Sequence, residues 1–191
     1  MTKKKPIIGV LALQGAVEPH RPHIEAAGGE FRAVKTSAEF DAVDGFILPG
    51  GESTTMLKLI ENFGLWDSLA RNFKTKPVWG ICAGCILIAQ TVTNPAQKSF
   101  GLLPITVARN GYGRQIDSHQ ESVAGYTVSF IRAPIITQIE TGVEVLAAQN
   151  SNPVWVRKEN IMASTFHPEL THDFPSPMHR MFFDMIDRFS R

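Results

Sequence analysis

The sequence predicts an α/β fold: a doubly wound, mainly parallel sheet in three layers, with antiparallel strands added to it. Three observations predict it. In the first half, short apolar runs alternate with longer segments of helical character, the order that right-handed β-α-β crossovers produce. The runs themselves are continuous, as in residues 7–13 (IIGVLAL), which suits strands covered on both faces. In the second half the pattern changes to short strand-like stretches separated by turn residues, which suits antiparallel additions.

Taken in order, residues 7–13 form the first strand. A helix follows through Glu25-Ala26-Ala27 and closes at Gly28-Gly29, with Pro19 and Pro22 suited to its first turn and not to its interior. Residues 31–34 and 45–48 are the next two strands. A helical region spans 55–72 with an interruption near Gly64, residues 77–81 are again a strand, and Ile86-Leu87-Ile88-Ala89 begins another helix. Residues 102–109, 125–132, 143–149, 154–157 and 161–166 are the short strands of the second half. The last helix has the clearest local signals. Ser176 can cap it, Pro177 fits its first position, and Met178, Met181, Phe182, Met185, Ile186 and Phe189 form one apolar stripe that reads as core packing.

At 191 residues the chain is expected to be a single domain, 1–191, large enough to bury a core without staples. Lys+Arg 19 against Asp+Glu 18 gives 19 − 18 = +1, too little basic charge for non-specific nucleic-acid binding. No apolar run approaches the ~20 residues of a membrane span. The basic start, Met1 to Lys5, is followed by an apolar stretch too short for a secretory signal. The two cysteines, Cys82 and Cys85, cannot build a disulfide framework. A cytoplasmic enzyme domain, with neither membrane nor nucleic acid as partner, is the expectation.

The sharpest chemical feature is Gly80-Ile81-Cys82-Ala83-Gly84, between a strand and a helix. It has the form of a G-x-S-x-G nucleophile elbow with sulfur in place of oxygen. Such a turn strains the nucleophile's backbone, requires small residues two positions away, and lifts the thiol above the sheet. The backbone N–H of Ala83 would then face an oxyanion on a substrate carbonyl. By itself the pentapeptide is also compatible with a buried structural cysteine, and Cys82-Ala83-Gly84-Cys85 with a redox C-x-x-C. A zinc site has weaker support, since no second pair of ligands accompanies the first.

Two further features favour hydrolysis. His167-Pro168-Glu169 follows directly on a strand, and extended His-x-Glu spacing places both side chains on one side. Glu169 could then hold the tautomer of His167 and stabilise its imidazolium, the orienting role in a triad. Among His20, His23, His119, His167, His172 and His179, only His167 combines a strand end with such a carboxylate. Leu48-Pro49-Gly50-Gly51-Glu52-Ser53 ends another strand; Gly51 N–H could be a second oxyanion donor, and Ser53 could cap the following helix. Its spacing is not that of a phosphate-binding P-loop.

In this order the three features resemble the class I (triad-type) glutamine amidotransferases. The match is closer to the family of glutaminase subunits of pyridoxal 5′-phosphate synthase. It is carried also by Gly9-Val10-Leu11-Ala12-Leu13-Gln14-Gly15-Ala16, Pro49-Gly50-Gly51-Glu52-Ser53-Thr54, Ala108-Arg109-Asn110 with Tyr112-Gly113-Arg114-Gln115, Phe130-Ile131-Arg132-Ala133-Pro134 and His167-Pro168-Glu169-Leu170-Thr171. The resemblance covers effectively the whole chain. It implies a flavodoxin-like fold of the class I amidotransferase type, with Cys82 as nucleophile, His167 as general base and acid, and Glu169 as its partner. Gly51 and Ala83 match the oxyanion hole; Gly51, Glu52, Ser53, Arg109, Ile131 and Arg132 match the glutamine-binding positions. It implies L-glutamine as substrate and a partner synthase subunit in a hetero-oligomeric complex, with no cofactor and no metal on this chain. A class I glutaminase serving a different synthase, a C-x-x-C redox protein and a non-catalytic binding module are the alternatives. The chain departs from the family in three respects: Ile81 where Thr is commoner, Cys85, and Pro19 with Pro22 in a segment usually polar and helical.

Overall fold

A computed structural model describes residues 5–110 and 118–189. The elements are β1 (Ile7–Leu11), α1 (His20–Ala27), β2 (Glu30–Val34), α2 (Ser37–Asp41), β3 (Gly45–Leu48), α3 (Ser53–Asn62), α4 (Trp66–Phe73), β4 (Val78–Ile81) and α5 (Ala83–Ile88). They continue with β5 (Ala89–Thr93), β6 (Leu103–Ala108), β7 (His119–Val123), β8 (Tyr126–Phe130), β9 (Ile135–Ile139), β10 (Glu144–Gln149), β11 (Asn152–Lys158), β12 (Ile161–Ser164), a 3₁₀ turn (Pro168–Leu170) and α6 (Pro177–Phe189).

Seven strands make the main sheet, in the order β10-β11-β12-β4-β3-β1-β2. From β12 to β2 all neighbours are parallel; β10 and β11 extend the sheet antiparallel. This is the predicted mixed α/β fold with its antiparallel additions. Strand pleating divides the apolar residues between two faces. Phe46 and Leu48 of β3 enter a core with Phe40, Met56, Leu69 and Phe73, under α2 to α5. Ile47 of the same strand enters a second core with Ile24, Trp79, Phe166 and Phe182, under α1 and α6. Among the described residues no helix is long and apolar enough to cross a membrane.

Outside the main sheet lie a three-stranded sheet, β5-β6-β9, and the β7-β8 hairpin. Here the sequence reading needs correction. Ile86-Leu87-Ile88-Ala89 ends helix α5 and opens β5, because Ala89 turns extended (φ −61°, ψ 148°). Residues 85 to 89 are all buried, so the run has no polar face whose spacing could separate helix from strand. Strands β7 and β9 were not anticipated, nor was α2. For α2 a signal existed: Thr36 and Glu39 form a reciprocal capping box. In α6, Ser176 Oγ accepts the His179 N–H and caps the helix as expected, while Phe189 is 52% exposed and leaves the predicted stripe.

The second core holds three histidines. His20 and His23 come from α1 and His179 from α6; His23 stacks on His179 with ring centroids 4.3 Å apart. Burial lowers the pKa of His179 and takes that of His20 down to about 4. An unfolded chain would protonate both near ~6.5, so their contribution to stability is present above that pH and lost as pH falls toward ~4. The urea denaturation midpoint is therefore expected to drop between about pH 7 and about pH 5; a flat profile across that interval would contradict this.

Candidate active site

Parallel strands converge their loops at one edge, and four of those loops build a cleft of about 290 Å³. Gln14 follows β1, Gly51 follows β3, Cys82 follows β4 and His167 follows β12, so sheet order sets their neighbours.

Cys82 has the strained backbone expected of an elbow, with φ 49° and ψ −101°. The small residues on either side are required by contact. A Cβ at Gly84 would lie 2.0 Å from the Leu48 carbonyl oxygen, and one at Gly80 would lie 2.5 Å from the Gly84 carbonyl oxygen. The turn thus packs backbone on backbone between β3 and β4. Cys82 Sγ is 3.9 Å from the Ile131 carbonyl oxygen.

His167 is fixed at both backbone and ring. Its N–H donates to the Ser129 carbonyl (2.8 Å), bridging it to β8, and its Nδ1 meets Glu169 Oε1 at 2.8 Å. Burial works to lower the pKa of His167, but hydrogen bonds to Cys82 and Glu169 and their charges outweigh it, raising the value to about 10. Burial would raise the pKa of Glu169; the hydrogen bond from His167 and the charge of that imidazolium hold it below the ordinary range. Glu169 is 1% exposed, so its charge acts with little screening.

The opposite wall comes from the glycine loop and the three-stranded sheet. Glu52, not Ser53, caps α3: its carboxylate accepts the N–H groups of Thr54 (3.3 Å) and Thr55 (2.8 Å). The longer side chain reaches these donors from one residue earlier, while the Ser53 hydroxyl donates to Gln97 Oε1 at 3.0 Å. Arg109, just past β6, donates to Thr54 Oγ1 (2.6 Å) and stands 3.6 Å from Glu52. Ile131 and the exposed Arg132, which adopts φ 45°, complete the rim.

All the sequence-predicted site residues line this one cleft except Glu169, which stands behind His167. Three lining residues were not assigned from the sequence: Gln14, Ile86 and Asn110. Gln14 had a signal, since it follows a first strand next to β3; its Oε1 accepts the Glu52 N–H at 2.8 Å and ties the two loops together. Tyr112-Gly113-Arg114-Gln115 lies outside the described residues.

The sequence model of the SNO glutamine amidotransferase family matches residues 10–188. The chain belongs to that family. As an SNO glutamine amidotransferase it has relatives of nearly equal length. Pyridoxal 5′-phosphate synthase subunit PdxT of Solibacter usitatus is 45% identical, covering 94% of this chain and 98% of the relative. The protein of the same name from Thermotoga maritima is 42% identical, with the same coverage of 94% and 98%. Among solved structures, a glutamine amidotransferase superposes with a TM-score of 0.85 at 38% identity, covering 94% of this chain and 98% of the other. A putative GMP synthase component of Thermoplasma acidophilum, 18% identical with a TM-score of 0.66 over 98% of this chain and 94% of that one, shares the fold. In this SNO glutamine amidotransferase, Cys85 is fully enclosed in the core, where burial pushes its thiol pKa up.

Proposed function

We propose that the chain is the glutaminase subunit of a pyridoxal 5′-phosphate synthase, hydrolysing L-glutamine to L-glutamate and ammonia. The observation that carries this reading is Cys82 on its strained turn, in one cleft with a histidine that Glu169 holds from behind. Cys82 as thiolate attacks the side-chain amide carbon of glutamine. Gly51 and Ala83 N–H groups take the oxyanion. Protonated His167 gives its proton to the departing ammonia, and water, deprotonated by the same imidazole, hydrolyses the thioester to glutamate.

Glu52, Ser53, Arg109, Ile131 and Arg132 bind the substrate in this reading. The planar fork of Arg109 suits the α-carboxylate. The whole chain acts as one glutaminase domain in the cytoplasm, and ammonia passes to a synthase subunit in a hetero-oligomeric complex. That partner joins ribose 5-phosphate and glyceraldehyde 3-phosphate into the cofactor. The enclosed Cys85 supports hydrolysis over C-x-x-C redox chemistry, because an exchanging pair needs an accessible second thiol.

The test gives the synthase subunit both sugar phosphates with either glutamine or ammonium, and follows product by absorbance. Glutamine-dependent synthesis is expected only when this chain is present, and ammonium-dependent synthesis without it. Product formation by this chain alone, or no glutamine consumption with the partner present, would sink the reading.

A further inference from the structure

The catalytic steps leave His20, His23 and His179 without a task, although all three are buried in the interior that holds Glu169. Among the three histidines and Glu169, three side-chain atoms lack hydrogen-bond partners among the described residues: Glu169 Oε2, the carboxylate oxygen that His167 does not use, His20 Nε2 and His23 Nε2. His20 is 0% exposed, and such atoms are costly to leave unpaired.

The neighbouring contacts connect the ring protons of His179 and His20. Ser176 Oγ accepts the His179 backbone N–H at 3.2 Å; with its hydroxyl proton directed to His179 Nδ1 at 2.7 Å, the chain of contacts ends in a donor, not a lone pair, toward the negative charge of Glu169. His179 then carries its own proton on Nε2 and donates it to His20 Nδ1 at 2.8 Å. His20 is left with its proton on Nε2, an unpaired donor within electrostatic reach of a carboxylate that has an oxygen to spare.

We propose that His20 is a positioning residue for Glu169, its Nε2–H serving the carboxylate oxygen that His167 leaves free. The contact is made directly or through one bridging water. It fixes the plane of Glu169, and through it the ring of His167. The proposal rests on the reading that Glu169 orients His167 in glutamine hydrolysis. The surroundings keep His20 a neutral donor: burial lowers its pKa most, Glu169 raises it, and His23 and His167 lower it. On the same helix, His23 Nδ1 accepts the Ser176 N–H at 3.0 Å, which seats α1 against the start of α6. His172, after the 3₁₀ turn, acts on His23.

Two substitutions separate positioning from packing. His20→Phe keeps an aromatic ring beside Trp79 and His179 but carries no donor, whereas His20→Gln keeps an N–H donor and loses the ring. Both are compared with wild type for kcat and KM with the synthase subunit present, and for the pH dependence of Cys82 alkylation by iodoacetamide. His20→Phe is expected to lower kcat about tenfold with KM within about twofold. Its alkylation midpoint should move to higher pH, because a Glu169 deprived of a donor holds its charge, and the imidazolium, less well. His20→Gln is expected to recover most of both. A packing role would produce the opposite order, with Phe better than Gln. Wild-type kcat and alkylation in His20→Phe would overturn the proposal alone. A wild-type complex that consumes no glutamine would overturn the functional reading, and this proposal with it.

Discussion

Replacing Cys82 with alanine is expected to lower glutamine hydrolysis by about four orders of magnitude or more, to the level of the uncatalysed background. The loss should fall on kcat, because the cleft that holds the substrate keeps its walls. Ammonium-supported synthesis by the partner should be untouched, which separates a lost nucleophile from a lost complex. Cys85→Ala is the matched control. It removes a thiol three residues away that sits in the core and is pushed further from ionisation by burial. It should retain most of the hydrolysis and give up about 1 kcal/mol of stability for the small cavity it leaves. Activity lost in Cys85→Ala and kept in Cys82→Ala would reverse the assignment.

Gly50→Ala is expected to lower kcat about a hundredfold or more while the fold survives. Gly50 does not have positive φ, so alanine can adopt its backbone. What the methyl meets is the imidazole of His167, whose Cε1, Nδ1 and Nε2 would lie 2.1, 2.7 and 3.2 Å from it. The ring must turn aside, against the hold of Glu169 and Ser129, and a displaced base no longer reaches the sulfur. Overpacking of this kind costs about 1–3 kcal/mol, so the melting temperature should fall by a few degrees while far-UV circular dichroism stays native. A variant within twofold of wild type in kcat would show that His167 has room to spare there.

The elbow at Cys82 and the pair His167 and Glu169 were legible because each is local: a five-residue turn and a two-residue spacing at strand ends. The main sheet was legible for the same reason, since its buried strands are continuous apolar runs. The three-stranded sheet was not. Its order comes from β6 pairing with β9 across a long separation, and the polar β5 (AQTVT) carries no alternation to announce it. The histidines show the limit most plainly. His167 could be chosen by its sequence neighbour, whereas His20 meets His179 across 159 residues and His23 meets Ser176 across 153. Only the packing of α1 against α6 brings them together, and no short window of sequence contains that contact.

Helix α5 runs for six residues between the cysteine on the main sheet and the first residue of β5. Because the three-stranded sheet delivers Arg109 to the far wall of the cleft, those six residues are a ruler for the distance between the two walls. One residue more or less would turn everything beyond the helix by about 100° and shift it by about 1.5 Å. Arg109 would then leave the cleft even though every side chain in it remained. Substitutions along α5 that respect size should therefore be absorbed, whereas a single insertion or deletion there should separate the cysteine from the arginine as effectively as removing one of them.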